Sequence, residues 1–102
     1  MYSYAEEKLE NILHLLVISE GDIRSRLKLC IDDLQALDES RFPKHLLDDW
    51  KYIDTTLNKF GPKMNYKNIM VEGSYEHTLK RIKNVTGSKV AQKLYDIYFN
   101  LK

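Results

Sequence analysis

Phe42-Pro43-Lys44-His45-Leu46-Leu47-Asp48-Asp49-Trp50-Lys51-Tyr52-Ile53-Asp54-Thr55-Thr56-Leu57-Asn58-Lys59-Phe60-Gly61-Pro62 is the stretch that decides the fold. Leu46, Trp50, Ile53, Leu57 and Phe60 recur at spacings of 4, 3, 4 and 3, which places all of them on one side of an α-helix. Pro43 suits a first helical position, where its missing N–H would have no partner anyway. Gly61 supplies a left-handed C-cap, and Pro62 forbids continuation.

Toward the N-terminus the same periodicity returns. Ile23, Leu27, Ile31, Leu34 and Leu37 form the stripe of a second helix, with Ser19 and Asp22 at capping-box spacing before it. Asp38-Glu39-Ser40-Arg41 ends it. The first helix, from about residue 4 to 19, carries Leu9, Ile12, Leu13, Leu16 and Val17, with Ser3 and Glu6 spaced as a capping box. Leu15 and Ile18 fall off that stripe. The second half of this helix is therefore apolar nearly all round, which calls for several neighbours or another subunit.

Toward the C-terminus, residues 61–73 make the longest connection. Met64, Tyr66, Asn68 and Met70 alternate as in a strand, but no partner is evident, and the reading is a loop pinned by its apolar side chains, with no role assigned. Ser74 is expected to cap a fourth helix with Tyr75, Leu79 and Ile82 inward. Thr86 is expected to cap a fifth with Val90, Ala91, Leu94, Ile97, Tyr98 and Leu101 inward, although Lys89 opposes the positive helix N-terminus. Short links between five amphipathic helices predict an all-α, single-domain antiparallel bundle over residues 1–102.

Composition sets bounds. At 43% hydrophobic and 30% charged residues, the composition is that of a folded globular chain, and disorder is not expected as the ground state. The net charge of +1 offers no global field for nucleic acid or anionic lipid. Residues 1–51 hold seven basic and eleven acidic side chains (net −4), and residues 52–102 hold nine and four (net +5). Cys30 is the only cysteine, so no intrachain disulfide forms, which suits a reducing cytoplasm. The longest apolar run, residues 12–18, is too short to span a bilayer. Glu6, Glu7 and Glu10 stand where a signal peptide would be basic. A cytoplasmic protein without membrane contact is expected.

The landmarks Gly21-x-Ile23 with Arg26-Leu27, Phe42-Pro43-x-x-Leu46, Trp50 and Ile53, Glu72-Gly73-Ser74 with Thr78-Leu79, and Ala91-x-x-Leu94-Tyr95 resemble those of a set of small bacterial helical proteins of unknown function. Gly87-Ser88-Lys89 departs from the acidic start of the last helix typical of that set, and Asp22 stands where a proline is frequent. The resemblance implies five helices and a bacterial origin. It implies no activity, site or substrate.

Catalytic chemistry finds little support. His14, His45 and His77 lie on different predicted helices. His45 with Asp48 and Asp49 could form half of a divalent-cation site, but no HExxH or CxxC pattern accompanies it, and a solvated helix face is the preferred reading. Cys30 is placed mid-helix as a small hydrophobe, away from any helix N-terminus. Gly73-Ser74 could hold an anion, but a simple cap is preferred. No catalytic residue, metal ligand or cofactor is assigned, and no enzyme is expected.

Two surfaces remain. Lys80, Arg81, Lys83, Lys89 and Lys93 cluster around the turn Asn84-Val85-Thr86-Gly87, with Lys59, Lys63 and Lys67 able to join them. That is the footprint of a nucleic-acid-associated protein. A helix-turn-helix reading fails, because the helix after the turn offers only Gln92, Lys93 and Asp96 between apolar residues. At position 83, where a small residue would let helices approach, there is lysine. Nucleic acid is the disfavoured alternative. The favoured surface is a protein interface at Tyr4, Leu15, Ile18, Tyr95, Tyr98 and Phe99, aromatic and aliphatic side chains beyond what a core needs. Opposite charge on the two halves favours a self-complementary homodimer. The expected function is a bacterial, cytoplasmic interaction or regulatory protein of the adaptor type.

Overall fold

The computed structural model describes residues 2–101. Six α-helices and one short hairpin follow in order: α1 (Ser3–Ile18), α2 (Ile23–Leu29), α3 (Ile31–Gln35), α4 (Leu47–Leu57), β1 (Lys63–Met64), β2 (Met70–Glu72), α5 (Ser74–Leu79) and α6 (Asn84–Asn100). The chain is mostly helical, as its periodicity predicts. Six helices replace five because the second divides at Cys30.

That division has a defined geometry. Cys30 sits at φ −96° and ψ 3°, its amide turned back to the carbonyl of Leu27 at 2.9 Å. The thiol donates to the carbonyls of Arg26 (3.4 Å) and Ile12 (3.7 Å). α2 packs on α1, α5 and α6, and α3 packs on α1. Cys30 is thus a junction residue and not a mid-helix one.

Element ends differ from the expected caps. Tyr2, not Ser3, is the N-cap of α1, and the Ser3–Glu6 box does not form: the Glu6 amide is already bonded to the Tyr2 carbonyl at 3.0 Å. Asp22 alone caps α2, accepting from the Ser25 amide at 2.9 Å. Pro43 lies before a 3₁₀ turn, Lys44–Leu46, that runs into α4. α4 stops at Leu57, so Phe60 falls beyond the helix and is partly exposed instead of facing inward. Gly61, at φ +62°, makes the left-handed turn expected of it. Ser74 is the first residue of α5 rather than its cap, and its buried hydroxyl has no hydrogen-bond partner. Thr86 is the third residue of α6, whose N-cap is Lys83.

Residues 61–73 are corrected more fully. Lys63 pairs with Glu72 and Met64 with Met70 in an antiparallel ladder. Asn65 shapes the turn: its amide donates to the Ile69 carbonyl, and its side-chain oxygen accepts from the amides of Lys67 (2.8 Å) and Ile69 (3.1 Å). The apolar side chains pin nothing. Met64, Tyr66, Ile69, Met70 and Val71 are all exposed.

The core gathers Leu9, Ile12, Leu27, Leu34, Trp50, Ile53, Leu57, Leu79, Val90, Leu94 and Ile97 into one cluster. α6 is its axis, packed on α1, α2 and α4. Phe42 closes one end against Trp50, with ring centres 5.1 Å apart. Among the described residues no helix is long and apolar enough to cross a membrane.

Candidate functional site

α1 and α6 run antiparallel: Glu10 meets Tyr98, while Leu13 and Val17 lie opposite Ala91 and Tyr95. Between them lies a groove of about 380 Å³ lined by Leu13, Leu16, Val17, Ile23, Ser88, Ala91, Gln92 and Tyr95. It continues along Glu10, His14 and Tyr98. Val17 is 80% exposed, Ile18 60%, Tyr95 50% and Phe99 53%. Side chains of this kind normally avoid water, and clustered exposure of this sort marks interaction surfaces.

The expected interface residues divide. Tyr95, Tyr98 and Phe99 form one aromatic group, with ring centres 4.5 Å apart for Tyr95–Phe99 and 5.2 Å for Tyr98–Phe99. The Tyr98 hydroxyl donates to Glu10 Oε1 at 2.8 Å, tying the group to α1. Ile18 is exposed at the end of α1 beside Val17. Leu15 is half-buried against the core and does not line the groove. Tyr4 lies elsewhere: fourteen residues of helix, or about 21 Å, separate it from Ile18. Its ring is covered by the Arg41 guanidinium 4.0 Å away. Leu13 and Ala91, expected in the core, pack half-buried against it and also line the groove, whereas Val17, expected there too, is exposed in the groove. The all-round apolarity of the first helix was the signal; which side stays uncovered depends on where α6 docks.

The basic patch is broken up. Lys80 pairs with Glu72 and with Glu76 (3.9 Å). Lys93 pairs with Asp49 at 3.0 Å and lies over the Tyr52 ring. These carboxylates push both ammonium groups up from their ordinary pKa. Lys89 is exposed on α6. Arg81 and Lys83 line a separate small cleft with Lys59, Phe60, Ile82 and Thr86. The small residue that permits close helix approach is Gly87, which lies against Ile23 of α2, so position 83 has no such duty.

The remaining chemistry-bearing residues are dispersed. His45 and Asp48 are exposed, while Asp49 is engaged by Lys93. Among the described residues no group of three or more His, Cys, Asp or Glu could hold a metal ion. His77 Nδ1 lies 2.9 Å from the Gly61 carbonyl, to which it donates, with its ring against Phe60. A helix N-terminus does follow Cys30, contrary to expectation, because α3 starts there. Burial outweighs it: desolvation, reinforced by Asp33, pushes the thiol up to about 11.

Compared with known proteins, the chain matches no family profile, no curated protein and no solved structure.

Proposed function

We propose that this protein is a cytoplasmic interaction module of the regulatory or adaptor type, not an enzyme, and that it self-associates through the α1–α6 face. The carrying observation is the exposure of Val17, Ile18, Tyr95 and Phe99 beside an apolar groove between two antiparallel helices. Two copies of such a face, related by a twofold axis, stack into a four-helix layer that removes these side chains from water. The rim favours a second copy. Glu10, His14, Ser88 and Gln92 border the groove, so no block of one sign would repel its own image. The aromatic group supplies the anchors that dominate interface energetics.

Sedimentation velocity at high micromolar concentration tests this. A dimer is expected for the natural chain and a monomer for Val17→Glu with unchanged helicity. A natural chain that stays monomeric at that concentration overturns the self-association reading.

A further inference from the structure

Lys59, Arg81 and Lys83 converge on one small cleft, and no carboxylate answers them. Lys59 follows α4, Arg81 lies between α5 and α6, and Lys83 opens α6; with Phe60, Ile82 and Thr86 they line a cleft of about 200 Å³. Some of the other cations are paired. Lys8 meets Asp33, Lys28 meets Glu76, Lys80 meets Glu72, and Lys93 meets Asp49. Among the described residues, Lys59, Arg81 and Lys83 have no ion-pair partner. The Arg81 guanidinium stands 5.1 Å and the Lys59 ammonium 5.5 Å from the centre of the Phe60 ring. The ring face offsets part of their mutual repulsion without neutralising either charge.

The start of α6 adds to the same sign. Its first turn holds no acidic residue and no side chain caps it. The amides of Thr86 and Gly87 turn back to the Lys83 carbonyl, whereas those of Asn84 and Val85 have no acceptor. The cleft thus offers a guanidinium fork, two ammonium groups and a threonine hydroxyl, beside the start of α6.

We infer that this cleft binds a phosphate group carried on an ester. Tetrahedral phosphate presents several acceptor oxygens and up to two negative charges, which suits donors arriving from three directions. A carboxylate offers two oxygens in one plane and would leave part of this donor set unused. The cleft shares no residue with the α1–α6 groove, so the inference stands independently of self-association. A free phosphate monoester and the backbone of single-stranded nucleic acid present the same group, and the probes separate them.

Two-dimensional amide spectra of the whole chain, recorded at low salt, follow titration with inorganic phosphate, a mononucleotide and a short single-stranded oligonucleotide. Saturable shifts are expected at Phe60, Asn84 and Val85 with every probe. An Arg81→Gln/Lys83→Gln variant should bind roughly tenfold more weakly or worse, while Lys44→Gln on another surface changes nothing. Lys59→Gln, at an exposed side chain, gives the same reading if the double variant loses its fold. Tighter binding of the oligonucleotide than of the mononucleotide, weakening steeply with salt, identifies the polymer backbone as source. Equal binding of both identifies a free ester. Shifts scattered over lysines across the whole surface, absence of saturation, or binding unchanged in the variants overturns the site.

Discussion

A Cβ placed on Gly87 would lie 3.0 Å from the Cγ2 methyl of Ile23, so α6 and α2 meet with no room for a side chain. Replacing this glycine by alanine favours the helix by about 0.5–1 kcal/mol. Crowding a packed contact costs about 1–3 kcal/mol. Ile23 is β-branched and stiff, with little freedom to give way. Gly87→Ala is therefore expected to lose about 1 kcal/mol in urea unfolding. In an Ile23→Ala background, where the obstructing methyl is gone, the same change should stabilise. A stabilising Gly87→Ala with Ile23 intact would show that the contact yields.

Arg26 serves the end of α1 from a neighbouring helix. Its Nη1 donates to the Leu16 carbonyl at 2.9 Å and its Nε to that of Gly21 at 3.0 Å. The last turn of α1 has no basic residue of its own, so this guanidinium also meets the negative end of the helix dipole. Arg26→Met should lower stability by about 1–2 kcal/mol, and Arg26→Lys by less, because one donor can still reach. Hydrogen exchange at Val17, Ile18 and Ser19 should accelerate in both. Unchanged exchange there would mean the end of α1 holds without Arg26.

The inward stripes were legible because burial repeats with the helix. Leu9, Ile12 and Leu16, then Leu27 and Leu34, then Trp50, Ile53 and Leu57, then Val90, Leu94 and Ile97 are buried where periodicity put them. Phe60 shows the limit: its spacing continues the α4 stripe past the point where the backbone turns at Asn58–Gly61. Ser3, Ser74 and Thr86 show another. Each has the side-chain chemistry of a cap but lies inside its helix, because a cap depends on the direction of chain entry as well. Tyr95, Tyr98 and Phe99 were readable as surplus aromatics. Their union with Leu13 and Val17 was not, since it requires knowing that α6 docks antiparallel on α1. Lys59, Arg81 and Lys83 were legible as members of one basic group, but not as the three that share a cleft, since that depends on the fold bringing the end of α4 to the α5–α6 link.

Acid should weaken the fold in a defined window. The Ser25 amide first, then Arg24, hold the Asp22 carboxyl down from its ordinary 3.8 to about 2. Ser40 lowers Asp38, and Lys80 lowers Glu72. Because these pKa values are depressed in the folded state, their stabilisation is present above the ordinary carboxylate range and is lost as pH falls through the folded values. Melting temperature should therefore drop between about pH 4 and pH 2. Asp22→Asn keeps an acceptor for the Ser25 amide but cannot titrate, so its drop over that window should be smaller. An identical acid profile in Asp22→Asn would remove Asp22 from this account.

Cys30 should be chemically silent while the chain is folded. With the thiol at about 11, only roughly one molecule in a thousand carries a thiolate at pH 8, and the sulfur is buried as well. Alkylation by iodoacetamide should be slow and should rise with urea in step with loss of helicity. Rapid labelling of the native protein would expose the α2–α3 junction as open, or Cys30 as a reactive group.

The hairpin should unfold apart from the helices. An isolated two-stranded hairpin is marginal in water, and here its apolar side chains lie exposed instead of packed, with Tyr66 at 91%. Its order rests on the Asn65 side chain, which accepts from two amides across the turn. Asn65→Ala removes the one oxygen that accepts both bonds, and the freed amides can turn to water, so the loss stays local. Trypsin should then cut after Lys67 much faster than in the natural chain, while helical circular dichroism and melting temperature hold. Asn68, at φ +60°, offers the opposite change: Asn68→Gly fits the left-handed turn at lower steric cost and should slow that cleavage. If Asn65→Ala instead lowers the global melting temperature by several degrees, the hairpin and the core unfold as one unit, and the turn supports the whole fold.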